Sequence, residues 1–296
     1  MANISLKKKN IVAIIQARCN SIRLPNKIMK KIAGVPVIEL LYSRLKMSNE
    51  INNIVIATSK HQANKKLVNL CKKKKIDYFL GSENNVLKRY FDASNVFKAD
   101  IIIRITGDSV LIDPRLVDKI IKIYKNNNVD YVSNCEPPTF PDGLDVEVFS
   151  KKCLEKTYKQ VKKNYDKEHV TTYIRSSKKF KTINHKCNID YSKIRWSLDQ
   201  EEDFREISSI LKHFNTKKYF SWKNILEVTE SKKDKFYKNS KIKRNEGAEM
   251  SKTQKLWKRA KQIIPGGNML LSKRPEIFLP NKWPAYFSKS KGCNVW

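Results

Sequence analysis

Apolar and polar positions along this chain recur with two periods. Short apolar runs rich in isoleucine and valine stand at 11–15 (IVAII), 53–58 (NIVIAT), 101–106 (IIIRIT), 130–134 (DYVSN), 181–187 and 193–198. Their length and β-branched content predict strands, and the unbroken run at 11–15 predicts a central strand covered on both faces. Between them, apolar residues spaced at helical period predict helices near 36–47, 61–75, 84–98, 114–126, 151–163, 167–177 and 200–213. Asp113-Pro114 is a start signal for the fourth helix, an N-cap followed by proline at the first helical position. Strands alternating with helices predict an α/β fold, a mostly parallel sheet with helices on both faces. The polar stretch Asn188–Ser192 predicts a hairpin between the last two strands, which would make the sheet mixed.

The pattern changes after Glu230. Residues 1–230 are expected to form one domain, and 231–252, charged and almost without aliphatic periodicity, a linker. A helical pattern resumes from 253, with Leu256, Trp257, Ala260, Ile263 and Ile264 on one side and a Pro-Gly-Gly stop. The final segment, 253–296, is short for a core of its own and ends on apolar residues, so it is expected to be the truncated start of a second domain.

Composition narrows the function classes. Hydrophobic residues make up 40% of the 296, and no apolar run approaches the roughly 18–20 residues of a membrane span. The lysines at the N-terminus precede an apolar run too short for a signal-peptide core, so a cytoplasmic protein is expected. A net charge of +32 raises a nucleic-acid binding module as one alternative. Against it, the lysines are spread along the chain, Lys72–Lys75 fall where a helix end favours cations, and no zinc-finger, RNP-like or basic–heptad pattern occurs. No nucleic-acid or membrane partner is therefore expected. The six cysteines include no C-x-x-C pair and read as free thiols, Cys19 among them.

Candidate chemistry gathers at strand ends. The first strand runs into Gln16-Ala17-Arg18-Cys19-Asn20-Ser21-Ile22-Arg23-Leu24-Pro25-Asn26-Lys27, whose three cations suit a ligand with several phosphates at the carboxyl end of the sheet. The same loop also reads as a solvated basic turn. It is neither a Walker A loop nor a G-x-G-x-x-G fingerprint. After the third strand come Arg104-Ile105-Thr106-Gly107-Asp108, where Gly107 permits close backbone approach and Asp108 offers a carboxylate. A carboxylate facing a polyphosphate calls for a cation between them, and Mg²⁺ is the natural one. An Asp that merely satisfies local turn amides is the other reading. In Pro141-Asp142-Gly143-Leu144-Asp145-Val146-Glu147-Val148, alternation buries Leu144, Val146 and Val148 and turns Asp145 and Glu147 to the opposite face, either for a sugar or metal or as the solvated face of an edge strand. Asp199 with Glu202 reads as a capping box, and His169 as a helix-surface histidine.

Together, QARCNSIRLPNK, RITGDSVLIDP, FPDGLDVEVFS, EHVTTYIR and the 199–203 segment resemble, in order, the motifs of cytidylyltransferases that activate acidic sugars, in the branch of spore coat polysaccharide biosynthesis protein F. The resemblance covers about residues 10–230 and implies a Rossmann-like nucleotide-diphospho-sugar transferase fold with transfer of CMP from CTP to an acidic sugar, using Mg²⁺. It implies that Arg18, Arg23 and Lys27 hold the triphosphate, with Arg18, Lys27 and Asp108 central to catalysis. Gln16, Ala17, Ser21, Arg104 and Gly107 would complete the nucleotide site. Asp108 and Asp199 would be the metal ligands, and Asp145, Glu147 and His169 would line the sugar pocket. A homodimer is also implied. Two departures stand out: Val110 replaces a usual proline, and Asn26 a common glycine. A nucleotidyltransferase using UTP or GTP with a sugar 1-phosphate is the alternative within the same chemistry. The tail from Leu256 resembles the start of class III aminotransferases of the glutamate-1-semialdehyde aminomutase type, without the lysine that would carry pyridoxal phosphate.

Overall fold

Strand β1 (Ile11–Gln16) alternates its apolar side chains between two cores, Ile11, Ala13 and Ile15 toward one and Val12 and Ile14 toward the other. That is the consequence of a two-residue strand period in a sheet covered on both sides. The computed structural model describes residues 9–21, 23–214, 219–231, 260, 290–291 and 294–295. β1 lies between β4 (Asn53–Ser59) and β6 (Ile101–Thr106), parallel to both, and β4 pairs in parallel with β5 (Asp77–Gly81). Beyond β6 follow β8 (Glu147–Ser150), antiparallel to its two neighbours, then β7 (Tyr131–Ser133) and β9 (Thr182–Asn184). The order β5-β4-β1-β6-β8-β7-β9 is the mostly parallel mixed sheet expected. A small hairpin of β2 (Lys31–Ile32) and β3 (Val35–Pro36) follows the entry loop.

The first core is closed by α1 (Val37–Leu45), α2 (Lys65–Lys74), α4 (Pro114–Asn126), α8 (Glu201–His213) and α9 (Trp222–Ser231). The second lies under α3 (Val86–Val96), α5 (Lys151–Gln160) and α7 (Thr172–Ser176). The start signal at α4 is real: Asp113 accepts from the Arg115 N–H at 2.8 Å. Its other oxygen takes the Trp222 N–H at 2.8 Å, tying α9 to the same corner.

Four expectations need correction. The run 193–198 forms no ladder beyond the Asp142↔Arg195 pairing, because it runs beside the Pro-Asp-Gly turn and not along a strand. β9 accordingly pairs in parallel with β7, and the predicted hairpin is absent among the described residues. The helix predicted at 167–177 breaks into α6 (Asn164–His169) and α7 at Val170, whose φ of 62° lies in the left-handed region. Strand β5 and helix α9 were not anticipated, and the strand read from the alternation through Val148 begins only at Glu147. β8 is an interior strand, so the face carrying Glu147 is a second core and not a solvated edge.

Contacts divide the chain into two units, residues 1–241 and 242–296. In the second, β10 (Ser290–Lys291) and β11 (Asn294–Val295) pair antiparallel. The expected linker and almost all of the segment from 253 fall outside the described residues. No helix among the described residues is long and apolar enough to cross a membrane.

Candidate active site

The entry loop is held in place through its backbone N–H groups. Ala17 N–H donates to the Ala57 carbonyl at 3.2 Å, Cys19 N–H to Asn64 Oδ1 at 2.8 Å, and Asn26 N–H to the Cys19 carbonyl at 3.0 Å. Asn26 takes φ 56° and ψ 25°, a left-handed conformation that asparagine tolerates. The substitution for glycine therefore keeps the turn. Gly107 donates to the Gln16 carbonyl at 2.8 Å, and a Cβ there would lie 3.0 Å from that oxygen and 3.1 Å from Ala17 Cβ. The ends of β1 and β6 are thus pressed together at the carboxyl edge of the sheet. Val110 is buried, and the turn it follows still closes through Ser109 N–H to Thr106 O at 3.1 Å.

Lys27 joins the three separated segments. Its Nζ lies 2.8 Å from Asp199 Oδ1 and 3.3 Å from Asp108 Oδ2. Arg23 reaches Asp199 Oδ2 at 2.9 Å. Burial alone lowers the Lys27 pKa, yet the charges of Asp108 and Asp199 outweigh it and hold the ammonium above its ordinary value. Asp199 mirrors this: burial raises it, while Lys27, Arg23 and Arg195 together pull its carboxyl below the usual range. Asp108 also accepts from the Thr106 hydroxyl. Arg18 is exposed and makes no ion pair among the described residues, although its charge contributes to lowering the pKa of Arg89. Of the three predicted cations, the structure brings Arg23 and Lys27 to the carboxylates and leaves Arg18 without an ion pair to either of them among the described residues. Ser21 is half-buried at the loop's outer turn.

Behind this cluster stands a group the sequence reading missed. Arg195, 4% exposed, donates to both oxygens of Asp203 at 2.9 and 3.0 Å, to Asp142 Oδ2 at 3.2 Å and to Asp199 Oδ2 at 3.4 Å. Asp142 also takes the Ser197 hydroxyl at 2.8 Å. The Pro-Asp-Gly turn packs directly on this segment: Gly143 has φ 101°, and a Cβ would fall 2.6 Å from the Trp196 carbonyl. The capping box of α8 uses Gln200 and Asp203, one residue on from the predicted Asp199 and Glu202, because Asp203 points back at the Gln200 N–H. That shift leaves the Asp199 side chain free of capping. The signal was the spacing of Arg195, Asp199 and Asp203, four residues apart, of which only Arg195 lies in the run read as a strand, 193–198, and Asp203 in the helix read at 200–213.

A second polar group lies on the other core face. Arg104 pairs with Glu147, its neighbour in register across β6 and β8. Glu147 is 3% exposed and further accepts from the hydroxyls of Tyr131 at 2.6 Å and Thr171 at 2.5 Å. Burial raises the Glu147 pKa, but Arg104 and Arg175 overcome it and hold the carboxyl below its ordinary value. Glu147 is therefore an interior support of Arg104, which extends to Gln16 Oε1 at 3.5 Å. Asp145, just before β8, is half-buried. His169 closes α6 with its ring 4.4 Å from that of Tyr165. The Thr171 N–H returns to the His169 carbonyl at 2.6 Å, making a strained three-residue turn at Val170. Burial pushes the His169 imidazole down, helped by Arg104 and Arg175 against Glu168. Cys19 is buried, which pushes its thiol up and leaves it inert. A separate cavity of about 720 Å³, lined by Phe140, Tyr191 and Trp222 among others, includes none of the site residues predicted from sequence.

Two carboxylates converging on one cationic point are a donor set for a divalent ion. Asp108 and Asp199 fit Mg²⁺ in charge and hardness, and no group of three or more side-chain ligands occurs among the described residues. The remaining ligands of such an ion would be water and phosphate oxygens.

The mostly parallel sheet carries its charged cluster at the carboxyl ends of β1 and β6, where open α/β sheets bind ligands. Residues 12–244 match the family model described as cytidylyltransferase, and the chain belongs to that family. It is 30% identical over 209 residues to the spore coat polysaccharide biosynthesis protein SpsF of Bacillus subtilis, covering 68% of this chain and 86% of that protein. A solved cytidylyltransferase from Leptospira borgpetersenii superposes with a TM-score of 0.74 at 30% identity, over 78% of this chain and 98% of that one. A CMP:2-keto-3-deoxy-manno-octonic acid synthetase complexed with CTP shares the fold at TM-score 0.54 and 14% identity, over 69% and 99%.

Proposed function

We propose that this chain transfers CMP from CTP to an acidic sugar in surface polysaccharide biosynthesis. The observation that carries this reading is Lys27, which links the entry loop to Asp108 at the end of β6 and to Asp199 before α8. Membership of the cytidylyltransferase family supports CTP as donor. The named role of SpsF and the sugar acid named for the octonic acid synthetase support the pathway and the acceptor.

A sugar hydroxyl attacks the α-phosphorus of CTP in line, a new P–O bond forms, the bond to the bridging β-phosphate oxygen breaks, pyrophosphate leaves, and the hydroxyl proton passes to solvent water. Chemistry of this kind needs alignment and charge neutralisation more than a covalent group. Arg18, Arg23 and Lys27 bind the triphosphate, stabilising charge that gathers on the departing pyrophosphate. The backbone from Gln16 to Ser21, with Gly107, approaches the base. Arg104, held by Glu147, orients Gln16, and Asp145 and His169 face the sugar. Asp108 and Asp199 would hold Mg²⁺, which would supply Lewis-acid polarisation of a phosphoryl oxygen.

The test is pyrophosphate release with CTP, UTP, GTP or ATP against a panel of 2-keto-3-deoxy sugar acids and sugar 1-phosphates, with Mg²⁺ or EDTA. Turnover is expected only with CTP, a sugar acid and Mg²⁺. Equal turnover of UTP or GTP with a sugar 1-phosphate would refute the reading.

A further inference from the structure

Asp199 divides its carboxylate among three cations of unequal freedom. Arg23 is 37% exposed, and both it and Lys27 sit on the entry loop that the proposed reaction turns toward the triphosphate. Arg195 cannot follow them. Its guanidinium, 4% exposed, is committed to Asp203 through Nε and Nη2 and to Asp142 through Nη1, while Nη2 also lies 3.4 Å from Asp199 Oδ2. Asp203 is fully buried and accepts the backbone N–H groups of Asp199 and Gln200, both at 2.9 Å. One carboxylate thus fixes both the backbone of Asp199 and the guanidinium beside its side chain.

We propose that Arg195, clamped by Asp203 and Asp142, is the positioning residue that keeps the Asp199 carboxylate aimed into the cleft once Arg23 and Lys27 engage the triphosphate. This rests on the nucleotidyl-transfer reading of the site. Three carboxylates surround Arg195, and a planar five-donor fork serves them together where an ammonium on a flexible stem serves them poorly. Groups that orient a metal-ligating carboxylate change metal affinity or activity by about 10–100-fold when altered.

The test uses the full chain carrying Arg195→Lys. Mn²⁺ affinity in the presence of CTP is read by electron paramagnetic resonance, CTP affinity in EDTA by calorimetry, and melting by circular dichroism. The expected result is Mn²⁺ affinity and turnover both lower by about 10–100-fold, with metal-free CTP affinity unchanged because Arg18, Arg23 and Lys27 are intact. Wild-type Mn²⁺ affinity in the variant overturns the proposal, as does an equal loss of CTP and Mn²⁺ affinity, the mark of a purely structural role. If Arg195→Lys does not fold, Asp203→Asn, which breaks the two-bond clamp at similar volume, carries the same comparison. Failure of the nucleotidyl-transfer reading shows separately, as a wild-type chain that binds CTP and Mn²⁺ but releases no pyrophosphate with any sugar acid.

Discussion

Asp108 is where the chemistry is most exposed to a single substitution. Its carboxylate is 25% exposed, stands just past the end of β6 and, among the described residues, bonds to the side chains of Lys27 and Thr106, while its backbone carbonyl holds the Leu198 N–H at 3.1 Å. Asp108→Ala removes the carboxylate and keeps that backbone bond. Turnover is expected to fall by at least about 10²–10³-fold, the usual effect of losing a charge aimed at the reacting group, while the melting curve stays in place. Steady-state pyrophosphate release beside a circular-dichroism melt checks both halves, and near-normal turnover would sink the metal assignment. Lys27 and Asp108 were legible in the sequence because each lies in a short motif next to an unmistakable strand. Arg195 was not, since its meaning depends on Asp142, which lies 53 residues away and becomes its neighbour only when the Pro-Asp-Gly turn folds onto the 194–198 segment.

Among the elements, strong periodicity was readable and crowding was not. β1, β4, β6 and α4 stood out because apolar residues repeat over their whole length. β8 did not, although its alternation was seen, because alternation gives the two faces without saying what covers the second one. Here α3, α5 and α7 cover it, so Glu147 becomes a buried charge answered by Arg104, Tyr131 and Thr171. That burial carries a pH signature. The folded pKa of Glu147 lies below its ordinary 4.5, so its ion pair contributes stability that is fully present above about pH 4.5 and is lost as pH falls through the folded value. Glu147→Gln is expected to cost about 3–5 kcal/mol at neutral pH, since Arg104 is left buried without its counter-charge. It is also expected to flatten the loss of stability on the acid side. Urea midpoints of wild type and variant from pH 7 down to pH 3 measure both effects, and parallel curves would show that Glu147 does not carry the acid response.

At the scale of the whole molecule, the boundary of the enzyme is set by α9. The sequence placed the end of the domain at 230, the family match runs to 244, and contacts divide the chain at 241. α9 ends at Ser231 and is part of the sheet's first core: Ile225 is fully buried, Trp222 is 8% exposed, and the Trp222 N–H binds the same Asp113 carboxylate that caps α4. Burying one such aliphatic side chain contributes about 1.5–3 kcal/mol, and freeing Asp113 from Trp222 loosens the N-terminus of α4 as well. Two truncations separate the roles. A chain ending at residue 244 keeps every one of these contacts and is expected to melt in a single transition with CTP turnover like that of the full chain. A chain ending at Ser221 removes α9 whole and is expected to lose cooperative melting together with activity. Loss of activity at 244 with melting intact would mean instead that residues beyond 244 contribute to nucleotide transfer.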